Sequence, residues 1–292
     1  MKSIGVCISG GGAKIGFAVG VLEVMFEKGI RPQLVYGISS GSLCTAGLCY
    51  GNLPFMKAQL LAISKRSDVL SAQGFRAFLA QVLGIGSADG LFAMKKMREK
   101  LDELPNLQPA LKGVVGYVDL VSGEPVYVSS DQVPREEFLD AVQASCSIPF
   151  AMQTQRSEKE VRVDGGVRDI LPLKQIIDDS LPVDEIHVIG LSPIQAERKE
   201  IDSKVLPVAI RSLDLMSNEV LLNDLKIAKM YNDLLRKCPV ETMAGKREIK
   251  LYEYFPRFLI CDTIDFNTEN IQKGIDHGRE IASKVLGGLI ID

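Results

Sequence analysis

The chain has 292 residues, 46% of them hydrophobic and 24% charged, with a formal net charge of -3 at pH 7. That length allows a full hydrophobic core, in one large α/β domain or in one domain with a helical annexe. The near-neutral balance and scattered basic residues leave no electrostatic footprint for nucleic acid, so no nucleic-acid partner is expected.

Lys2 to Ser9 reads as a short buried strand that runs into Gly10-Gly11-Gly12. The glycines arrive before any apolar stretch long enough for a signal peptide, so we expect no export signal and a soluble, cytoplasmic chain. Beyond them Ile15, Ala18, Val19, Leu22, Met25 and Phe26 recur at helical spacing. Gly29 and Pro32 should stop that helix, and Leu34-Val35-Tyr36 begins the next strand. A βαβ unit of this kind implies a parallel sheet with a right-handed crossover. The charge-free run from Pro32 to Met56 is broken by Gly, Ser, Asn and Pro, and reads as strand, turn and buried helix rather than a membrane span.

Ser40 to Tyr50 is a second helix stopped by Gly51, and Asn52 before Pro54 opens a third through a capping Asn and an early proline. Phe55 to Leu104 reads as wholly helical, punctuated by Gly74 and Gly84-Ile85-Gly86, and placed to cap a site. Its stripe of Phe75, Phe78, Leu79, Val82 and Leu83 is a candidate for an acyl pocket or a peripheral membrane contact, although plain core packing is the commoner use of such a stripe. Val114 to Leu120 and Pro125 to Val128 resemble paired strands, Pro134 to Ala144 a helix, and Val161 to Val163 a strand leading into Asp164. A helix near Leu173 to Ile177 precedes Ile186 to Leu191, whose apolar content suggests a central strand. After Pro193 the sequence turns charged and mostly helical, with a strand-like stretch from Arg247 to Tyr254. The expected division is therefore an α/β domain over 4–195, with a helical insertion at about 54–104, and a mainly helical extension over 196–292 packed on that core.

Gly37-Ile38-Ser39-Ser40-Gly41 sits where a strand turns into a helix, which is the setting of a nucleophile elbow. The helix N-terminus favours negative charge developing at Ser39. A serine nucleophile also needs a base and donors for an oxyanion. Gly10, Gly11 and Gly12 can offer successive backbone N–H groups, and Lys14 lies close enough to add positive charge or to hold the loop. A dinucleotide site built on Gly10, Gly12 and Gly16 is the rival reading, but the next strand ends at Tyr36-Gly37 without the expected acidic residue. The six cysteines lack metal or redox spacing, so buried reduced thiols, no metal and no cofactor are expected. His187 falls in a core strand and His277 in a helix, which leaves the base to a carboxylate. Asp164 stands out because Gly165 and Gly166 remove side-chain bulk beside it.

Taken together these segments resemble the patatin-like phospholipases. Gly10-Gly11-Gly12-Ala13-Lys14 resembles the family's oxyanion loop, Gly37 to Gly41 its elbow, and Asp164-Gly165-Gly166 its Asp-Gly-Gly/Ala motif. Ala144-Ser145-Cys146-Ser147-Ile148-Pro149 and Leu171-Pro172-Leu173 match in order and spacing, and the likeness runs from Ile4 to Pro193. It implies a three-layer α/β/α sandwich with a mostly parallel central sheet, and metal-free hydrolysis of a phospholipid or other fatty-acyl ester. It further implies Ser39 as nucleophile, Asp164 as base, an oxyanion hole at Gly10, Gly11 and Gly12, and supporting roles for Lys14, Gly37, Gly41, Gly165 and Gly166. Ile15 and Ile170 depart from the glycine and asparagine that the family usually carries there. Acyl transfer through the same acyl-enzyme, or non-catalytic binding of a lipid or nucleotide, are the alternatives.

Overall fold

The computed structural model describes residues 2–72, 90–195, 197–198, 200–201, 204–237 and 248–287. Strand β1 (Ile4–Ile8) leads through a 3-10 turn (Gly12–Ile15) into α1 (Gly16–Glu27), and β2 (Leu34–Ile38) leads directly into α2 (Ser40–Tyr50). Helix α3 (Leu53–Leu61) begins at Asn52, whose side chain accepts the Phe55 N–H at 2.9 Å with Pro54 in the first turn.

Between α3 and residue 104 the described residues are not all helical. Strands β3 (Ser71–Ala72) and β4 (Gly90–Ala93) precede α4 (Lys95–Asp102). β3 pairs antiparallel with β4, and β4 pairs in parallel with β7 (Phe150–Met152), in a small sheet of three strands. The expectation of an all-helical stretch fails here because pairing with distant β7, not local propensity, decides the conformation of residues 90–93. The stripe from Phe75 to Leu83 and the glycines at 84 and 86 lie outside the described residues.

Next come β5 (Lys112–Asp119), β6 (Pro125–Ser129) and α5 (Arg135–Ser145), followed after β7 by β8 (Gln155–Arg156) and β9 (Val161–Asp164). Then follow α6 (Leu173–Ile177), β10 (Glu185–Ile189), the long α7 (Val205–Lys237), β11 (Lys250–Tyr254) and α8 (Thr268–Gly287). The main sheet has the order β11-β10-β1-β2-β5-β9-β8, with β6 also paired to β5. The first five of these strands run parallel, and β9, β8 and β6 join antiparallel. β10 is buried along its length and flanked on both sides, as its apolar sequence requires.

Successive residues of β1 feed opposite faces of the sheet, as strand geometry dictates. Val6 and Ile8 join the core built with Phe17, Leu22 and Met25 of α1 and Ile271 and Ile275 of α8. Cys7 joins the opposite core with Leu173 and Ile176 of α6 and Leu221 and Leu225 of α7. Helices thus cover both faces, giving a three-layer α/β/α architecture. Among the described residues no helix is long and apolar enough to cross a membrane.

Candidate active site

Ser39 and Asp164 meet because β2 and β9 run toward each other beside β5. β2 ends with Ile38 opposite Gly116, and β9 ends with Asp164 opposite Tyr117. β6 occupies the other edge of β5 over these residues, so the two strand ends share one edge and abut. Each then delivers its functional side chain from adjacent positions of the same neighbour.

At the end of β2 the chain turns sharply into α2, with Ser39 at φ 53° and ψ -125°. A non-glycine residue seldom adopts such a positive φ, and the surroundings must hold it there. The Ser39 N–H donates to Ser145 Oγ at 2.8 Å, and the Ser39 carbonyl accepts the Ser42 N–H at 2.8 Å, the Ser42 hydroxyl at 2.5 Å and the Cys146 thiol at 3.2 Å. The flanking glycines are required by close approach: a Cβ on Gly37 would lie 2.2 Å from the Gly41 carbonyl oxygen, and one on Gly41 2.3 Å from that of Ile8.

Asp164 is 5% exposed and Ser39 4%. The Asp164 N–H donates to the Ser147 carbonyl at 2.9 Å, its carboxylate accepts the Gly166 N–H at 2.8 Å, and the Ser39 hydroxyl is its neighbouring side-chain donor. Burial pushes the Asp164 carboxyl up to about 6, against the pull of those two donors. It is therefore a carboxylate at neutral pH, yet a far better proton acceptor than an exposed aspartate.

The glycine loop faces this pair across a cavity of about 620 Å³ lined by Gly10, Gly11, Gly12, Ser39 and Asp164. The Gly10 N–H is taken up by the Ile170 carbonyl at 3.3 Å. The Gly11 and Gly12 amides have no acceptor among the described residues. Gly12 stands at φ +58°, and the Ala13 N–H donates to the Thr263 carbonyl at 2.9 Å, fixing the loop from the far end of the chain. Lys14 is 2% exposed, and its ammonium reaches Thr263 Oγ1 at 3.3 Å.

Both departures from the usual family pattern are buried. Ile15 packs in the main core, and Ile170 fills the gap between the glycine loop and the Asp164 turn, with its Cδ1 2.4 Å from where a Gly10 Cβ would stand and 2.5 Å from that of Gly166.

Neither histidine lines this cavity. His187 stacks on Tyr252 and shares a 2.8 Å hydrogen bond with Tyr254, and burial pushes it down to about 4. His277 accepts the Arg257 N–H at 3.0 Å. Among the described residues no cluster of His, Cys, Asp and Glu is arranged to hold a metal ion.

Sequence reasoning did not single out Thr263 or the residues Asp214, Ser217 and Asn218 of α7, all of which line the cavity. No local motif marks them. Ser145 was legible only as part of the Ala-Ser segment.

Residues 6–177 match the family described as patatin-like phospholipase. Among solved structures the chain is similar to VipD from Legionella pneumophila, with a TM-score of 0.56 and 14% identity, over 98% of this chain and 67% of that one. At that identity the likeness speaks for the fold alone.

Proposed function

Because the chain belongs to the patatin-like phospholipase family, a family of lipid acyl hydrolases, we propose that it cleaves fatty-acyl esters with Ser39 as nucleophile and Asp164 as general base. The observation that carries this reading is the meeting of the buried Ser39 hydroxyl and the Asp164 carboxylate in one cavity, facing the Gly11 and Gly12 amides, which have no acceptor among the described residues.

Ser39 Oγ attacks the ester carbonyl while Asp164 takes its proton, and the carbonyl electrons move onto oxygen. Amides of the glycine loop hold the resulting oxyanion, a donor of this type lowering the barrier by about 3 kcal/mol. The first turn of α2 adds a favourable dipole at the same place. Collapse of the intermediate expels the alkoxide, which leaves as the alcohol with the proton that Asp164 had taken, and an acyl-Ser39 remains. Water then gives a proton to Asp164 and attacks the acyl group; the fatty acid leaves, and the proton returns to Ser39.

Carboxylate bases are weak, so burial supports the proposal: it raises the basicity of Asp164 without protonating it at neutral pH. The test is lipid hydrolysis and fluorophosphonate labelling by wild type, Ser39→Ala and Asp164→Asn, with product analysis to tell a free fatty acid from an ester passed to an added alcohol. Losses of roughly a thousandfold or more in both variants are expected. Near-wild-type turnover by either variant would refute the dyad.

A further inference from the structure

Alongside the cleft lies a second, smaller pocket lined largely by polar and charged side chains. Lys14, Ser192, Asp214 and Asn218 line both spaces, and Glu197 and Arg211 line the second. Arg211, Asp214 and Asn218 stand at i, i+3 and i+7 on one face of α7, so the long C-terminal helix forms a polar wall beside the catalytic pair.

The charges in this annexe are balanced but not internally paired. Lys14 is almost wholly buried and has no ion-pair partner among the described residues; the Thr263 hydroxyl is its polar neighbour, and that hydroxyl donates in turn to Asp214 Oδ1 at 2.7 Å. Arg211 donates to the Glu197 carbonyl at 2.8 Å and likewise meets no carboxylate among the described residues. Glu197 Oε1 accepts the Leu259 N–H at 2.7 Å. Asn218 Oδ1 is buried with no donor at all among the described residues. A buried ammonium whose nearest carboxylate, Asp214, is reached only through the Thr263 hydroxyl, and a buried acceptor with no donor among the described residues, both destabilise the empty fold. Together they describe a ligand that carries a negative group and an N–H donor at once.

We propose that this annexe is a headgroup subsite for a zwitterionic phosphodiester, with the phosphate answering Lys14 and Arg211 and the ammonium answering Asp214, Glu197 and Asn218 Oδ1. The proposal rests on the acyl-hydrolase reading for the ligand's being a lipid. Two cations and two carboxylates sum to zero, which suits a headgroup of no net charge. A purely anionic headgroup would leave the Asp214 and Glu197 carboxylates without a cationic partner in the ligand, and an uncharged acylglycerol would leave Lys14 unanswered.

The test uses the full-length Ser39→Ala protein and calorimetric titration with sn-glycero-3-phosphoethanolamine, sn-glycero-3-phosphocholine and glycerol 3-phosphate. The ethanolamine diester, whose ammonium carries N–H donors, should bind about tenfold more tightly than glycerol 3-phosphate and more tightly than the choline diester, which has none, and adding Arg211→Gln or Glu197→Gln should each weaken it by about tenfold. Binding of glycerol 3-phosphate or of the choline diester as tight as that of the ethanolamine diester, no binding of the ethanolamine diester, or indifference to both substitutions overturns the subsite. Wild-type turnover of ethanolamine and glycerol phospholipids with matched acyl chains separates the two proposals. Headgroup-selective binding without turnover leaves the subsite standing and refutes the hydrolase; turnover indifferent to headgroup does the reverse.

Discussion

Thr263 sets the shape of the loop at Gly12: a Cβ on Gly12 would lie 2.0 Å from the Thr263 carbonyl oxygen, which already accepts the Ala13 N–H at 2.9 Å. A residue near the C-terminal end thus clamps amides that lie twelve positions from the N-terminal end. The clamp joins the chemistry of the N-terminal half to the tail of the chain.

Gly12→Ala should therefore do more than strain a φ of +58°. Relief requires the loop to leave Thr263, and the amides proposed as oxyanion donors move with it. We expect a loss of about a hundredfold in kcat on a short-chain ester, typical of losing one such donor, together with a lower Tm. Gly123→Ala is the control, since its φ is +76° but nothing lies within 4 Å of the added Cβ. It should cost only about 1–2 kcal/mol of stability and leave kcat as it was. Equal effects of the two substitutions on kcat would count against the clamp.

The strained turn at Ser39 gives a second prediction. Ser39→Ala and Ser39→Gly both remove the hydroxyl beside Asp164, but only glycine relaxes at φ 53°. The glycine variant should be more stable than the alanine variant by about 1 kcal/mol, with both inactive. Chemical denaturation of the two proteins side by side measures the difference, and greater stability of the alanine variant would show that the backbone there is unstrained.

The raised carboxyl of Asp164 fixes the acid limb of the pH profile. If Asp164 is the base, as proposed, it works as the carboxylate, so kcat/KM should rise with pH and level off above about 6. Stability runs the other way: the folded form holds its proton more tightly than the unfolded form, with its ordinary value of 3.8, so this contribution is full below 3.8 and lost as pH rises through about 6. Asp164→Asn should gain Tm relative to wild type at neutral pH while losing activity. A flat pH–rate profile across that interval would show that another group is the base.

Asp224 of α7 lies beside Asp169, which follows the Asp164 turn and accepts the Tyr127 hydroxyl. Among the described residues Asp169 Oδ1 and Asp224 Oδ2 are buried with no donor, which a proton shared between the two carboxyls would supply. Burial first, then the neighbouring Asp169 charge, pushes Asp224 up to about 7, while burial raises Asp169. The raised folded values mean that stability is lost as pH climbs through about 7. Asp224→Asn keeps a donor toward Asp169 at every pH. The Tm difference between variant and wild type should therefore grow in the variant's favour across that interval, and a difference independent of pH would dissolve the shared-proton pair.

Much of the candidate site was legible because its parts are local. Positive φ, close backbone approach and a strand-to-helix turn each demand particular residue types within a few positions, and Gly10 to Gly12, Gly37 to Gly41 and Asp164 to Gly166 carry them. Asn52 and Pro54 likewise announced α3 by capping chemistry alone.

Pairing between distant segments decided the rest. Residues 90–93 are a strand because β7 lies beside them, and residues 250–254 extend the main sheet because β10 offers its free edge. The amino-acid sequence by itself supplied a strained serine, an acid beside glycines and a loop of amides. Only the tertiary structure brought Ser39 and Asp164 to adjacent positions on one edge of β5, fixed the loop from Thr263, and laid Arg211, Asp214 and Asn218 beside the cleft. Hydrogen-bond partners across a sheet and side chains across a cavity are chosen by the packing of the whole chain, and no short window of residues contains that information.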